Sequence, residues 1–357
     1  MRVEENRELA PLTTLGVGGP ARWFVEAGTE AEVVEAVDWA NGRQIPVFIL
    51  GGGSNLLVSD AGFDGLVLQI GLKGIRDQSS TSAAERLYEV AAGEDWDSFV
   101  QRTVEDGSVG LECLAGIPGT VGGTPVQNVG AYGQEVASTI RAVRVHDTVR
   151  RETLNLAGEE CGFQYRSSRF NSADKGRFIV LSVEYRLSAG GVPTLKYADL
   201  HRVFPAGSSP SLNDVATAVR RIRQSKGMLL VEGDPDCRSA GSFFKNPLVT
   251  TERAAIVGQI AGGDPPQFPA GEDSLGKTKI PAAWLIEKAG FKRGYQLGRA
   301  AISSKHTLAL VNLGGATASE ILSLAHQIRM AVVDRFAVDL QMEPVMLGFA
   351  SRAGEGA

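Results

Sequence analysis

Few residues in this chain are placed to do chemistry. Arg166, in Tyr165-Arg166-Ser167-Ser168-Arg169, offers a planar fork of donors that suits a carboxylate or a phosphate. A solvated or surface-paired arginine is the plainer reading of the same residue. Ser242 stands in Ala240-Gly241-Ser242-Phe243-Phe244-Lys245-Asn246-Pro247. A hydroxyl between a glycine and two aromatics is partly desolvated and can pass a proton. Without further context, a turn or helix-capping serine explains it equally well. The segment is not a GxSxG elbow, and no histidine lies near it in sequence. Glu343, in Gln341-Met342-Glu343-Pro344-Val345, sets a carboxylate among apolar neighbours, where it must either pair or act. The four histidines, His146, His201, His306 and His326, show no metal-ligand spacing, so no metal site is expected.

Two glycine-rich stretches add binding capacity. Gly51-Gly52-Gly53-Ser54-Asn55 follows the apolar run Ile45–Leu50. Backbone without Cβ atoms can turn sharply there, and successive N–H groups can form an anion-binding concavity. No Gly-Lys-Ser/Thr follows, and the next residues, Leu56–Val58, read as strand rather than helix. Both the mononucleotide P-loop and the GxGxxG dinucleotide fingerprint therefore fail. A tight structural turn remains open at this point. The second stretch places six glycines within residues 116–133, as Gly116-Ile117-Pro118-Gly119-Thr120-Val121-Gly122-Gly123 and Asn128-Val129-Gly130-Ala131-Tyr132-Gly133. Such a loop can lie along a long polar ligand. A diphosphate joined to two nucleoside-like ends fits it better than a single phosphate, and a glycine-rich surface loop is the alternative.

The elements that must carry these residues read as mixed α and β. Thr29 with Glu32 forms a capping box, and Val33, Val37 and Ala40 continue a helix that stops at Gly42. Ile45–Leu50 is a buried strand. From about residue 74 to 187, strands at Tyr88–Ala92, Ala142–His146 and Phe178–Leu187 alternate with loops, and a helix lies near Asp95–Glu105. Ser211–Lys226 is helical, with Val215, Val219 and Ile222 on one face and Gly227 as its stop. A Pro- and Gly-rich loop at Gly262–Gly271 precedes an apolar helix near Ala282–Ala289. A second capping box, Thr317 with Glu320, opens an amphipathic helix through Ile321, Ala325, Ile328 and Val332. Phe336–Gly348 reads as a final strand, and the tail Ser351–Ala357 as disordered.

Composition narrows the function classes. With 357 residues the chain has room for two or three domains. Its 36 Lys+Arg against 41 Asp+Glu argue against a broad nucleic-acid-binding face, though not against a local basic pocket. Three cysteines without CxxC spacing suit neither a disulfide framework nor zinc, and point to a reducing compartment. No signal peptide and no membrane span are expected. Glycine, 43 residues, is in excess, and twelve of these lie in three groups near Gly16–Gly19, Gly51–Gly53 and Gly116–Gly133.

Taken in order, GGGSN, GIPGTVGG, YRSS, GSFFKNP and the terminal glutamate resemble the UDP-N-acetylenolpyruvoylglucosamine reductase family, flavoenzymes that complete UDP-N-acetylmuramate for peptidoglycan. The resemblance runs from Thr13 to Gly348. It implies an α+β fold of three domains. A two-part FAD-binding fold of the vanillyl-alcohol oxidase type would comprise residues 1–72, rejoined by 337–350, and residues 73–210. A substrate-binding α/β domain would cover 211–336, and a flexible tail 351–357. It implies non-covalent FAD held by Gly51, Gly52, Gly53, Ser54, Asn55, Pro118, Gly119, Gly122, Gly123, Asn128, Gly130 and Ile179. Arg166 looks like the arginine facing the flavin and the substrate carboxylate, Ser242 like the proton donor and Glu343 like its carboxylate partner. Some members carry a proline before that glutamate; here Met342 precedes it and Pro344 follows, and counting back from Gly348 still selects Glu343. Tyr197 looks like the loop tyrosine of the longer subgroup, and Lys226, Asn246 and Gln296 like further substrate contacts, with Lys226 at the diphosphate. The activity implied is NADPH-dependent reduction of UDP-N-acetylglucosamine enolpyruvate in the cytoplasm by a monomer with small-molecule partners only. An FAD-linked oxidase of an alcohol or sugar is the alternative on the same fold. On this reading, alanine at Gly52 or Gly122 is expected to weaken FAD retention more than folding.

Overall fold

The computed structural model of the chain describes residues 1–79, 84–267 and 276–349. The far end of the Gly262–Gly271 loop, residue 350 and the tail Ser351–Ala357 lie outside the described residues. The chain forms two compact units, each assembled from three stretches. The first contains Met1–Arg7, Ala21–Gly53 and Asp64–Gln224, and the second Glu8–Pro20, Ser54–Phe63 and the chain from Ser225 onward.

The first unit is built on two sheets. One has the strand order Glu4–Glu8, Pro20–Ala27, Phe63–Ile70, Val47–Leu50. Its last two strands run parallel, Val47 opposite Leu66. The neighbouring helix, Glu30–Asn41, starts at the expected capping box, in which the Thr29 hydroxyl accepts from Glu32 N–H and the Glu32 carboxylate accepts from Thr29 N–H. The other sheet is antiparallel, in the order Glu152–Ala157, Ile140–Asp147, Phe178–Ala189, Glu85–Ala91, Ile75–Asp77, with Ser108–Val109 paired to the end of the central strand. Against this sheet lies helix Trp96–Glu105, whose Asp95 caps Ser98 N–H. Trp96, Phe99 and Tyr185 are fully buried and meet ring to ring, Phe99 and Tyr185 with centroids 5.1 Å apart. Helix Leu212–Ser225 adds Val215, Ala216 and Val219 to the same core.

In the second unit, a four-stranded antiparallel sheet runs in the order Ser239–Ser242, Ala309–Asn312, Ala300–Ile302, Gln296–Leu297. Helices Thr251–Ala261, Ala282–Lys288 and Ala318–Phe336 surround a core of Phe243, Phe244, Leu285, Ile321, Leu324, Ile328 and Phe336. The long helix begins at the expected Thr317–Glu320 capping box, and Asp60 also accepts from its Ala318 and Ser319 N–H groups. A parallel pair joins Leu56–Val58 to Val345–Leu347.

One element differs from expectation. Phe336–Gly348 is not a single strand: Phe336 ends the long helix, Ala337 adopts a left-handed φ of 49°, and only Val345–Leu347 is strand. The alternation that suggested a strand is real, since Val338 and Leu340 are buried while Asp339 and Gln341 are exposed. The segment is extended, but it pairs through an isolated bridge, Phe244 with Met342, and not along a ladder. Glu343 therefore precedes the last strand.

Two glycine expectations also change. A Cβ at Gly52 would stand 2.5 Å from Gly119 Cα, and one at Gly122 would stand 2.6 Å from the Ala92 Cβ. The chain itself, before any ligand, forbids a side chain at either position. Gly52→Ala and Gly122→Ala should each cost on the order of 1–3 kcal/mol of folding stability, the range for forced overpacking, read as a lowered denaturation midpoint. A second prediction concerns His306. Burial lowers its pKa to about 4, with Lys226 and Arg293 adding like charge and Glu287 opposing them. Its Nδ1 accepts from Leu308 N–H at 3.0 Å. An unfolded histidine takes up its proton near pH 6.5, so this contribution to stability is present above that pH and is lost as the pH falls towards 4. Thermal midpoints should decline over that window, with a shallower decline in His306→Gln.

Candidate active site

The two glycine loops of the first unit meet backbone to backbone. Gly51–Gly53 leaves strand Val47–Leu50, and Gly52 abuts Gly119. The second loop is laced in place: Trp96 N–H donates to Gly119 O, Val121 N–H to Glu94 O and Gly122 N–H to Ala92 O. Gly116 is clamped at both of its backbone polar groups. Its N–H donates to Asp97 at 2.6 Å, and its carbonyl accepts from Arg223 Nε at 2.9 Å. Pro118 and Gly119 are half-buried, and Gly123 is exposed at the end of a short 3-10 turn, Val121–Gly123. Ile179 is 2 % exposed in the central strand opposite His146, with its side chain in the core.

Arg166 sits in a two-residue hairpin turn. Gln164 and Ser167 exchange backbone hydrogen bonds at 2.9 and 3.1 Å, and Arg166 has a left-handed φ of 53°. Its Nη2 donates to the Gly130 carbonyl at 2.6 Å, and its guanidinium lies 5.2 Å from the centre of the Tyr165 ring. Asn128 is buried, and its amide is committed within the protein: Nδ2 donates to Glu135 Oε2 and Gln164 O, and Oδ1 accepts from Ala137 N–H. The loop tyrosine, Tyr197, is exposed at the start of helix Ala198–Val203 and stands edge-on to Tyr132, centroids 5.5 Å apart. Burial pushes the Tyr132 hydroxyl up to about 12, against the opposing charge of Arg223.

The second unit brings Ser242 and Glu343 onto hydrogen-bonded segments. Ser239 pairs with Val311 and Ser242 with Ala309, so two residues bulge opposite one; Gly241, φ 70°, takes the strain. Such a bulge re-aims the next side chain. Ser242 is half-buried, ahead of the buried Phe243 and Phe244. Glu343 N–H donates to Phe243 O at 2.9 Å, and Lys245 N–H donates to Gln341 O. Asn55 Nδ2 donates to Glu343 O at 3.3 Å, while Asn55 O accepts from Val345 N–H. Ser54 O accepts from the Thr14 hydroxyl. Asn246 Oδ1 accepts from Ala282 N–H and so begins helix Ala282–Lys288. Gln296 is exposed and donates to Gly298 O, and Lys226 is half-buried beside His306.

Sequence reasoning passed over Arg223, Asp97 and Tyr132. One signal for Arg223 was present: it continues the Val215, Val219 spacing, so a charge falls on the apolar stripe of its helix. Burial lowers its pKa, while Tyr132 and Asp97 favour its charge. Asp97 and Tyr132 gave no signal, because their partners lie far along the chain. The three cysteines are buried and unbridged. Among the described residues, no helix is long and apolar enough to cross a membrane, and no group of three or more His, Cys, Asp or Glu could hold a metal.

Comparisons with known proteins agree along the whole chain. Residues 21–149 match the model of an FAD binding domain, and residues 234–347 match that of the UDP-N-acetylenolpyruvoylglucosamine reductase C-terminal domain. A UDP-N-acetylenolpyruvoylglucosamine reductase of Streptomyces coelicolor is 47 % identical over 352 residues, covering 96 % of this chain and 89 % of that protein. One of Thermobifida fusca is 44 % identical over 354 residues, covering 96 % and 97 %. The crystal structure of UDP-N-acetylenolpyruvylglucosamine reductase from Thermus caldophilus superposes with a TM-score of 0.66 at 28 % identity, over 97 % of this chain and 99 % of that one. With relatives this similar over nearly their full length, the chain belongs to the UDP-N-acetylenolpyruvoylglucosamine reductase family.

Proposed function

We infer that this protein reduces UDP-N-acetylglucosamine enolpyruvate to UDP-N-acetylmuramate with NADPH, through bound FAD, in the synthesis of peptidoglycan precursors. The observation that carries the inference is the end-to-end likeness to reductases at 47 % and 44 % identity. The oxidase alternative loses its footing in the second unit, where residues 234–347 match the reductase C-terminal domain.

The glycine loops fit FAD on a physical ground. Gly123 has no left-handed φ, and a Cβ there would meet nothing within 4 Å. Neither backbone conformation nor packing within the chain requires glycine at this position, whereas a flat ligand lying on the loop does. Gly51–Asn55 and the loop through Pro118, Gly119, Gly122 and Gly123 would hold the cofactor, with Gly130 and Ile179 supporting it, while the Asn128 amide is spent on Glu135, Gln164 and Ala137 within the protein. When bound, FAD supplies hydride storage between the two substrates. The sheet of Glu4–Glu8, Pro20–Ala27, Phe63–Ile70 and Val47–Leu50 and the larger antiparallel sheet would form its two binding parts, and the chain from 211 to 336 the substrate domain.

Reduction at the terminal carbon of the enol ether drives negative charge towards the substrate carboxylate. Catalysis then needs donors aimed where that charge develops. Arg166 supplies a fixed cation, and Glu343, when protonated, a further hydrogen bond. Ser242 Oγ delivers a proton to the adjacent carbon as general acid. Tyr197, Lys226, Asn246 and Gln296 would hold the nucleotide, with the ammonium of Lys226 on the diphosphate.

The purified protein should show a flavin spectrum that NADPH bleaches under anaerobic conditions and that the enolpyruvyl nucleotide restores, with UDP-N-acetylmuramate formed. A colourless protein, or a flavin indifferent to both substrates, would overturn the reading. Ser242→Ala should leave bleaching by NADPH intact and slow the second half-reaction by roughly 10²- to 10⁴-fold, the usual worth of a general acid. Loss of both halves would contradict the role given to Ser242. Gly123→Ala should leave the denaturation midpoint of the apoprotein unchanged and raise the dissociation constant for FAD, the opposite pattern to Gly52→Ala.

A further inference from the structure

We propose that Asn128 is a positioning residue for Arg166, fixing the turn from which the arginine reaches the substrate carboxylate; the proposal rests on the reductase reading above. A non-glycine residue in the left-handed region is uphill, and it persists only where its surroundings hold it. Arg166 has a φ of 53°, and its hairpin contains only two residues between the paired Gln164 and Ser167. Asn128 reaches this turn from 36 positions away in sequence: its Nδ2 donates to Gln164 O at 3.1 Å. The same Nδ2 donates to Glu135 Oε2 at 3.0 Å, and Oδ1 accepts from Ala137 N–H at 3.1 Å. Two residues along the same loop, the Gly130 carbonyl takes the Arg166 guanidinium at 2.6 Å. One short loop therefore grips both ends of the arginine, its backbone through Asn128 and its head through Gly130. Asn171 completes the grip by donating to Arg166 O at 3.3 Å.

The chemistry of the position selects asparagine. Its side chain must donate to a carboxylate and a carbonyl while accepting an amide N–H, which only a carboxamide does. Its own φ of 43° is one that asparagine tolerates better than most residues. Aspartate would turn an oxygen towards Glu135, and serine would be too short to span the partners. At 2 % exposure the amide has no water with which to replace a lost bond.

The test separates the half-reactions. Asn128→Gly keeps the left-handed backbone accessible and removes the link to Gln164. It should retain FAD and keep flavin reduction by NADPH within about twofold of wild type, while reoxidation by the enolpyruvyl nucleotide slows roughly 10- to 100-fold, as expected for a displaced orienting group. Added to Arg166→Ala, the same change should produce no further loss, because both act through one group. Loss of FAD, unchanged reoxidation, or effects that multiply in the double variant would each overturn the proposal. Should Asn128→Gly fail to fold, Asn128→Asp carries the test. It should be slow in reoxidation, because a carboxylate has no N–H to give Gln164 O, and adding Glu135→Gln, which relieves the facing oxygens without restoring that bond, should leave it slow. Recovery of the rate in that double variant would overturn the proposal as well. A wild-type protein whose reduced flavin ignores the enolpyruvyl nucleotide would instead remove the reductase reading itself.

Discussion

The first unit depends on one close approach, the peptide of Gly52 lying against the peptide of Gly119. Two loops from separate parts of the chain reach contact there with no side chain between them. Everything around the contact works to hold it. The strand before Gly51 is anchored in parallel to Phe63–Ile70, and the 116–123 loop is tied at Gly119, Val121 and Gly122 to the segment Ala92–Trp96. Asp97 and Arg223 then fix Gly116 from helices on either side of it. A charge as buried as Arg223 is costly unless its bonds are made, so it acts as a rigid strut rather than as a source of net stability. The consequence is a loop held at Gly116, Gly119, Val121 and Gly122, with Gly123 exposed at its end.

That constraint changes the meaning of the glycine excess. From composition alone, all the clustered glycines had one explanation, a backbone laid against a dinucleotide. The structure divides them. Gly52 and Gly122 are required by the protein's own backbone, whereas Gly123 faces open space. Only the second kind carries information about a ligand. Glycine density marks where chains come close, but not whether the second party is the same chain or a cofactor.

The local features of the fold were legible because they are written in adjacent residues. Both capping boxes, the helix after Asp95 and the helix ending near Lys226 lie where short-range spacing put them. The segment after Phe336 was misread because period-two burial is shared by any extended chain packed on one face, whereas a strand also needs a ladder of partners. Its partner, Phe243–Lys245, offers hydrogen bonds at isolated points only. Candidate chemistry was legible as residue types in order. What the order could not reveal was support. Asn128 holding Gln164, Arg223 holding Gly116 and Tyr132 meeting Tyr197 are all contacts between residues dozens of positions apart, each made by a polar group whose purpose appears only with its partner.

The second unit shows the same logic applied to a pair of candidate groups. Ser242 and Glu343 are separated by a hundred residues, yet Glu343 N–H bonds the carbonyl of Phe243, the residue next to Ser242. Asn55 secures the other side of Glu343, accepting from Val345 N–H and donating to Glu343 O. The backbone of Glu343 is thus held on both sides. Ser242 is restricted in turn by the bulge at Gly241 and the buried ring of Phe243. The two segments are joined by a main-chain hydrogen bond, which substitution of either side chain leaves standing. A role shared by these two residues would therefore survive as geometry in single variants and be lost as chemistry. Altered rates in Ser242 or Glu343 variants then report on proton transfer and charge, with the supporting frame unchanged.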